Sequence, residues 1–378
     1  MIKKTIISFE TTYRSFIAKH PFKFNIKLLI ILVIFITIGG FARAEITDKK
    51  NKDQIKNTKS ALTSSISELG GLLPPLSESI SPSPSASPAP RIQPKLVFGI
   101  GSEADQAIKS RLATEAPVKM LTSWYNGPND LPWITNWKNN LIPELYAKGY
   151  ILHLITFTEK LEGPVVTPNG PACGREYPVS VQIREDMRKL ASTFAGNGKL
   201  YVTLFTEFQT YPCDDNKWKG NENYYETLKD NYHAIKDIFH QYAPNAKVGI
   251  SWGGWQSRWD DPGGGGGKSL FPYFADIMNE SDITSFQAME SGSNVEDIRN
   301  MTRILGAYGK PVILSHYKPD NRSQTTFDAD MKAVLTDTFL GDVTSLGLIA
   351  MSFMDSENMD QEEKIYQFIK NAVSRYGK

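Results

Sequence analysis

From Lys95 onward the chain alternates short apolar runs with segments whose apolar residues recur every three or four positions. The runs are Leu96–Ile100, Val118–Ser123, Tyr150–Phe157, Leu200–Thr206, Lys247–Trp252, Ile283–Met289, Pro311–Ser315 and Leu346–Phe353. Several are almost continuously apolar, as expected of parallel strands covered on both faces. The segments between them read as amphipathic helices. Ile183, Met187, Leu190 and Phe194 make one stripe, with Gly196 placed as its C-cap, and Tyr225, Leu228, Tyr232, Ile235 and Phe239 make a second. Ser293 to Glu296 reads as a capping box ahead of Ile298, Met301 and Leu305, and Ile365, Phe368, Ile369 and Val373 close the chain. Eight β/α units over 95–378 predict an α/β fold of the (β/α)8 TIM-barrel class, typically about 250 residues long. A doubly wound open sheet is the alternative, and eight regular alternations favour closure.

The pattern before Lys95 is different. Residues 28–42 read LLIILVIFITIGGFA without a charge, behind a basic flank, and Ala42-Arg43-Ala44 has the small-x-small form of a cleavage site. This predicts either a signal peptide ending at Ala44 or an uncleaved membrane anchor within 1–44. Both place the rest of the chain outside the membrane, because the Lys-rich flank stays inside. Residues 45–94 include SPSPSASPAP at 81–90, which cannot bury a core and favours extended polyproline conformations. They read as a linker that holds a catalytic body, 95–378, away from a surface.

Charge refines this picture. The 378 residues carry 42 Lys+Arg and 41 Asp+Glu, but seven of the basic residues and only one acid lie in 1–44. The remainder is mildly acidic, which excludes nucleic acid as an expected partner. Five histidines show no metal-ligand spacing, so no metal or cofactor is expected. His153, inside a strand, reads as a hydrogen-bonded core residue, and His233 and His240 as residues of a surface helix.

On a barrel, chemistry belongs at the C-terminal strand ends and the loops after them. Glu207 ends the apolar fourth strand. Glu290 ends the sixth, Glu159 follows the third, Asp355 and Glu357 follow the eighth, and Glu103 follows the first. Glycoside hydrolysis needs two carboxyl groups about one bond, one protonated and one ionised. Glu207 is the expected acid, and Glu290 or Asp355 the second carboxylate. The seven tryptophans also end or follow strands, in segments that suit the apolar faces of sugar rings. Trp124, Trp252 and Trp255 are expected to line sugar subsites. Tyr125, His316, Tyr317 and Lys318 are expected to contact hydroxyls or, for Lys318, an acidic sugar.

On these residues the body resembles the barrel glycoside hydrolases, loosely the clan of β-mannanases and cellulases. The resemblance implies a polysaccharide substrate, and an acid/base glutamate at the end of the fourth strand, where Glu207 stands. The clan nucleophile ends the seventh strand, and here Pro311–Asp320 reads PVILSHYKPD, with His316 at the strand end. Thr206 replaces the asparagine that usually precedes the acid/base.

Three further patterns need a structural context. Gly263–Gly267 with Lys268 and Ser269 is not a phosphate loop, because Pro262 stands where a glycine is required. It reads as a lid element. Gly249-Ile-Ser251-Trp-Gly253 has the spacing of a nucleophile elbow, which keeps a serine esterase open as a lesser alternative. Cys173 and Cys213 follow neighbouring strands of an exported body and are expected to form a disulfide. The sequence therefore predicts a secreted or membrane-anchored glycoside hydrolase. A non-catalytic polysaccharide-binding envelope protein on the same barrel is the alternative.

Overall fold

The structure, a computed structural model, describes residues 94–158, 162–213, 222–260, 269–354 and 357–378, the side chains of 357 and 358 excepted. The N-terminal segment, most of the linker, Glu159, Trp218, Gly263–Gly267 and Asp355 lie outside the described residues. Among the described residues there are ten strands: β1 (Val97–Ile100), β2 (Met120–Tyr125), β3 (Ile151–Thr156), β4 (Glu162–Thr167), β5 (Gly170–Arg175), β6 (Leu200–Leu204), β7 (Ala246–Gly253), β8 (Thr284–Met289), β9 (Val312–Lys318) and β10 (Leu348–Phe353). Eight of them close into a parallel barrel in the order β1-β10-β9-β8-β7-β6-β3-β2, each at one of the eight predicted runs. Among the described residues no helix is long and apolar enough to cross a membrane.

Strand residues alternate between two environments. Phe98, Leu121, Leu154, Val202, Val248, Phe286, Leu314 and Met351 face out and join one large core with the helices. The predicted stripes fill its other side, since Met187, Leu190, Phe194, Leu228, Tyr232, Ile235, Ile298, Met301 and Val373 are all fully buried. A second, smaller cluster of Val97, Met120, Tyr201, Ile283, Ile313 and Ala350 plugs the barrel lumen. Above this plug the lumen is polar. Thr122 Oγ1 meets Ser352 Oγ at 2.7 Å and His153 Nδ1 at 3.3 Å, and His153 Nε2 meets Thr203 Oγ1 at 3.0 Å. Such a layer is tolerated because each of these groups finds a partner.

Two expected helix signals act differently. Ser293 precedes the helix Asn294–Gly306 without a side-chain cap bond, and the capping box forms instead at Ser323 and Thr326. Gly196 does not cap in a left-handed turn. A Cβ there would meet the Tyr146 ring at 2.5 Å, so glycine serves close packing.

One element was not expected. β4 and β5 form an antiparallel hairpin with Thr167 opposite Gly170. The Pro168-Asn169-Gly170 turn is the local signal for it. The segment after β6 lies against the hairpin: Gly174 bridges Pro212, Arg175 N donates to Tyr211 O at 3.2 Å, and Cys173 and Cys213 are disulfide-bonded. The expected pairing is therefore present, and it ties the hairpin to the loop that carries Glu207.

The bond closes a span of 40 residues, for which the chain-entropy relation gives roughly 4 kcal/mol. The double variant Cys173→Ser/Cys213→Ser is expected to unfold about 10 °C below the wild type in calorimetry. The native protein should show no titratable thiol before reduction; two free thiols would contradict the bond.

Candidate active site

The residues that meet across the barrel mouth come from strands that are not neighbours. Glu207 follows β6 and Gln287 lies on β8, with β7 between them, yet Gln287 Nε2 donates to Glu207 Oε1. Trp124 on β2 and His316 on β9 are separated by β1 and β10, yet Trp124 Nε1 donates to His316 Nε2 at 2.7 Å. Such contacts are possible only over the lumen, at its C-terminal end. They make one constellation of Glu207, Gln287, Trp124 and His316.

The chain reaches Glu207 through an unusual turn. Phe205 and Glu207 have φ of 56° and 62°, in the left-handed region, and Glu290 at the end of β8 has 51°. No other described non-glycine residue has positive φ. Side chains rarely adopt this region, which costs on the order of 1–3 kcal/mol per residue unless the surroundings impose it. Here they do. Phe205 N and Thr206 N donate to Thr156 Oγ1 and O at 2.9 and 2.8 Å, and Glu207 N donates to Ser251 O at 3.2 Å. Tyr211 Oη donates to Thr206 O at 2.8 Å. Phe208 then plugs into Trp252 and Phe274 at ring distances of 4.5 and 4.6 Å.

Burial pushes the Glu207 carboxyl up to about 7, against a smaller lowering by the Arg175 charge. Arg175 comes from the hairpin, donates to Thr158 O, and lies over the Tyr211 ring at 4.6 Å. Glu290 differs. It is half-exposed, ion-paired with Lys318 at 2.7 Å and bonded by Asn321 at 3.0 Å. The bond from Lys318 holds its carboxyl below the usual value. The two strand-end glutamates thus sit in environments that push their protonation in opposite directions.

A bulge sets His316. Against β8, Phe286 pairs with Leu314 and Gln287 with His316; against β10, Met351 pairs with Leu314 and Phe353 with Tyr317. Both neighbours skip one residue of β9, which places the extra residue at Ser315–His316. Ser315 and His316 therefore both turn inward. Ser315 Oγ meets Ser251 Oγ at 3.2 Å, and His316 stacks under Trp124 with rings 4.5 Å apart. His316 is fully buried, and that burial pushes its imidazole down to about 3, so it is neutral.

Three residues expected to bind substrate, Trp252 at a sugar subsite and Tyr125 and Tyr317 at hydroxyls, face the helices instead. Trp252 is 0% exposed among Phe208, Phe271 and Phe274. It supports the Glu207 turn from behind. Tyr125 is buried, with its hydroxyl 2.5 Å from that of Tyr177 and donating to Asp186 at 3.3 Å. Tyr317 is buried in the outer core. Each is next in sequence to a residue that faces the lumen: Ser251, Trp124 and His316. The two faces of a strand differ by one position. Lys318 faces Glu290, and Trp255 is half-buried with its ring packed on Gly253. Ser251 is fully buried within β7, which continues to Gly253, so no nucleophile elbow forms. Trp133 and Trp137 pack on each other at 4.9 Å, and Trp259 is 60% exposed. Among the described residues no group of three or more His, Cys, Asp or Glu is placed to hold a metal ion.

Sequence reasoning missed Gln287 and Arg175. The FQAMES segment does place Gln287 two positions from Ser285, on one strand face, which was the available signal. Also missed was a cleft of about 620 Å³ lined by Asn126, Asp130, Thr158, Glu176, Tyr177 and Gln182. It opens between the loop after β2 and the residues after the hairpin. Its polar lining draws on three separate segments, which no local pattern joins.

No family model and no curated protein matches this sequence. Among solved structures, the barrel is similar to a GH53 catalytic domain from Ignisphaera aggregans, at 13% identity and a TM-score of 0.43, over 71% of this chain and 87% of that one. It is also similar to a psychrophilic glycoside hydrolase family 10 endo-β-1,4-xylanase, at 10% identity and a TM-score of 0.49, over 75% and 96%. A third similar structure is β-glucuronidase 2 of Bacteroides uniformis, at 10% identity and a TM-score of 0.44, over 69% and 30%.

Proposed function

We propose that this protein is an exported glycoside hydrolase acting on a polysaccharide, with Glu207 as the proton donor. The observation that carries this is the Glu207 carboxyl itself. It is held by an imposed left-handed turn at a barrel strand end, and burial brings its titration to about 7. A carboxylic acid that keeps its proton near neutral pH is what a glycosidic oxygen needs as its leaving-group acid.

The partner carboxylate must be ionised, and Glu290 is kept so by Lys318. Two carboxyls whose surroundings separate their protonation match an acid paired with a base or nucleophile. Asp355 is the other candidate from the sequence. Trp124 and Trp255 supply aromatic surface for sugar rings, and the cleft beside β2 and the hairpin supplies volume for further units. Export is supported by the apolar run at 28–42 and by the disulfide. A second reading, a polysaccharide-binding protein without turnover, is favoured by one observation: the end of β9 presents a neutral, buried His316 rather than a carboxylate.

Incubation with mannans, celluloses, xylans and galactans, followed by measurement of new reducing ends, separates the two readings. Release is expected from the wild type, and Glu207→Gln should lower it about 10²–10⁴-fold. Binding without release would favour the second reading. Release that survives the substitution would place the acid elsewhere. Wild-type activity should decline as pH rises through about 7, as Glu207 loses its proton.

Stability should carry the same signature. The folded value of about 7 lies above the ordinary 4.5, so the folded state holds this proton more tightly than the unfolded chain. Below 4.5 the carboxyl imposes no penalty; between 4.5 and about 7 stability falls with rising pH, and above that the penalty is constant. Glu207→Gln should therefore melt above the wild type at about pH 8, with the gap closing toward about pH 4. A gap independent of pH would show that Glu207 titrates normally.

A further inference from the structure

We propose that Gln287 couples the acid to the substrate: its amide N–H holds the Glu207 carboxyl, and its carbonyl oxygen accepts a hydrogen bond from a hydroxyl of the bound saccharide. The saccharide half rests on the hydrolase reading above; the contact with Glu207 does not.

Gln287 is fully buried and reaches across β7 to Glu207. It is the amide nitrogen of Gln287 that faces Glu207, donating to Oε1, an oxygen that can accept whether the carboxyl is ionised or carries its proton on the other oxygen. One N–H of Nε2 is used there, and Oε1 is left on the other side of the amide. Oε1 is buried and has no partner among the described residues. Two residues adjoining this pair, in sequence or in register, also carry a buried polar atom in that condition, Thr206 Oγ1 and His316 Nδ1. Thr206 precedes Glu207, and His316 is the register partner of Gln287 on β9. A buried amide oxygen without a partner, on a side chain whose nitrogen already holds a candidate acid, is a position that a ligand's donor can fill.

The chemistry left on offer defines that ligand. An amide oxygen accepts, so it selects a donor: a hydroxyl is taken, while a carboxylate or an O-methyl oxygen is refused. The group facing Gln287 is therefore a free hydroxyl of the saccharide next to the scissile bond. Because one planar amide carries both contacts, loss of either should disturb the other.

The test uses the full chain with carboxyl-labelled glutamate. The Glu207 resonance, identified by its loss in Glu207→Gln, is titrated by NMR in the wild type and in Gln287→Met, which keeps the volume and removes both polar atoms. Loss of a donor to the charged form should raise the Glu207 midpoint by about half a unit or more; an unmoved midpoint overturns the hold on Glu207. On a polysaccharide the wild type cleaves, Gln287→Met should raise KM about tenfold as well as lowering kcat. An unchanged KM overturns the hydroxyl contact. If none of the panel is cleaved, the saccharide half falls with the hydrolase reading, and the titration still decides the rest. Should Gln287→Met not fold, the exchange Glu207→Gln/Gln287→Glu keeps the pair and moves the carboxyl. It should retain saccharide binding with no release, and loss of binding would count against the proposal.

Discussion

Closure of eight parallel strands leaves each strand side chain only two destinations, the helical shell or the lumen. The rest of this molecule follows from that constraint. The shell takes the large apolar residues and becomes the main core. The lumen holds only one such cluster, a six-residue apolar plug, and above it hydroxyls and His153 satisfy one another. The side chains of the next layer have no further layer above them, and they form the candidate site.

That upper layer is where the backbone departs from regular geometry. All three described non-glycine residues with positive φ lie at the ends of β6 and β8, and the β9 bulge lies beside them. Strain of this kind persists only when neighbouring structure over-determines it. The Glu207 turn has such support: backbone bonds to Thr156 and Ser251, the Tyr211 hydroxyl, and the aromatic packing of Phe208 on Trp252. Trp252 thus acts on the site mechanically, through the turn, rather than through a ligand. The result is a carboxyl held where burial keeps its proton near neutral pH.

The hairpin gives the barrel an asymmetric rim. Pinned by the disulfide and by backbone bonds to Tyr211 and Cys213, it brings Arg175 toward Glu207 and borders the cleft after β2. Arg175 opposes the effect of burial on Glu207, so the protonation of this carboxyl reflects a balance between a neutral interior and one cation placed by an insertion.

The sequence by itself determined the barrel, because eight apolar runs and the helical stripes between them are local patterns with local causes. It also determined that Glu207 closes the fourth barrel strand, and that two cysteines on adjoining loops can meet. It did not determine which way strand-end residues face. Trp124 and Tyr125, Ser251 and Trp252, and His316 and Tyr317 are adjacent pairs in which one member enters the lumen and the other the shell. A single bulged residue in β9 is enough to bring Ser315 and His316 inward together. The contact of Gln287 with Glu207 spans 80 positions and an intervening strand. Only the tertiary structure decided these, because parity, register and contacts across the lumen exist only once the strands have closed.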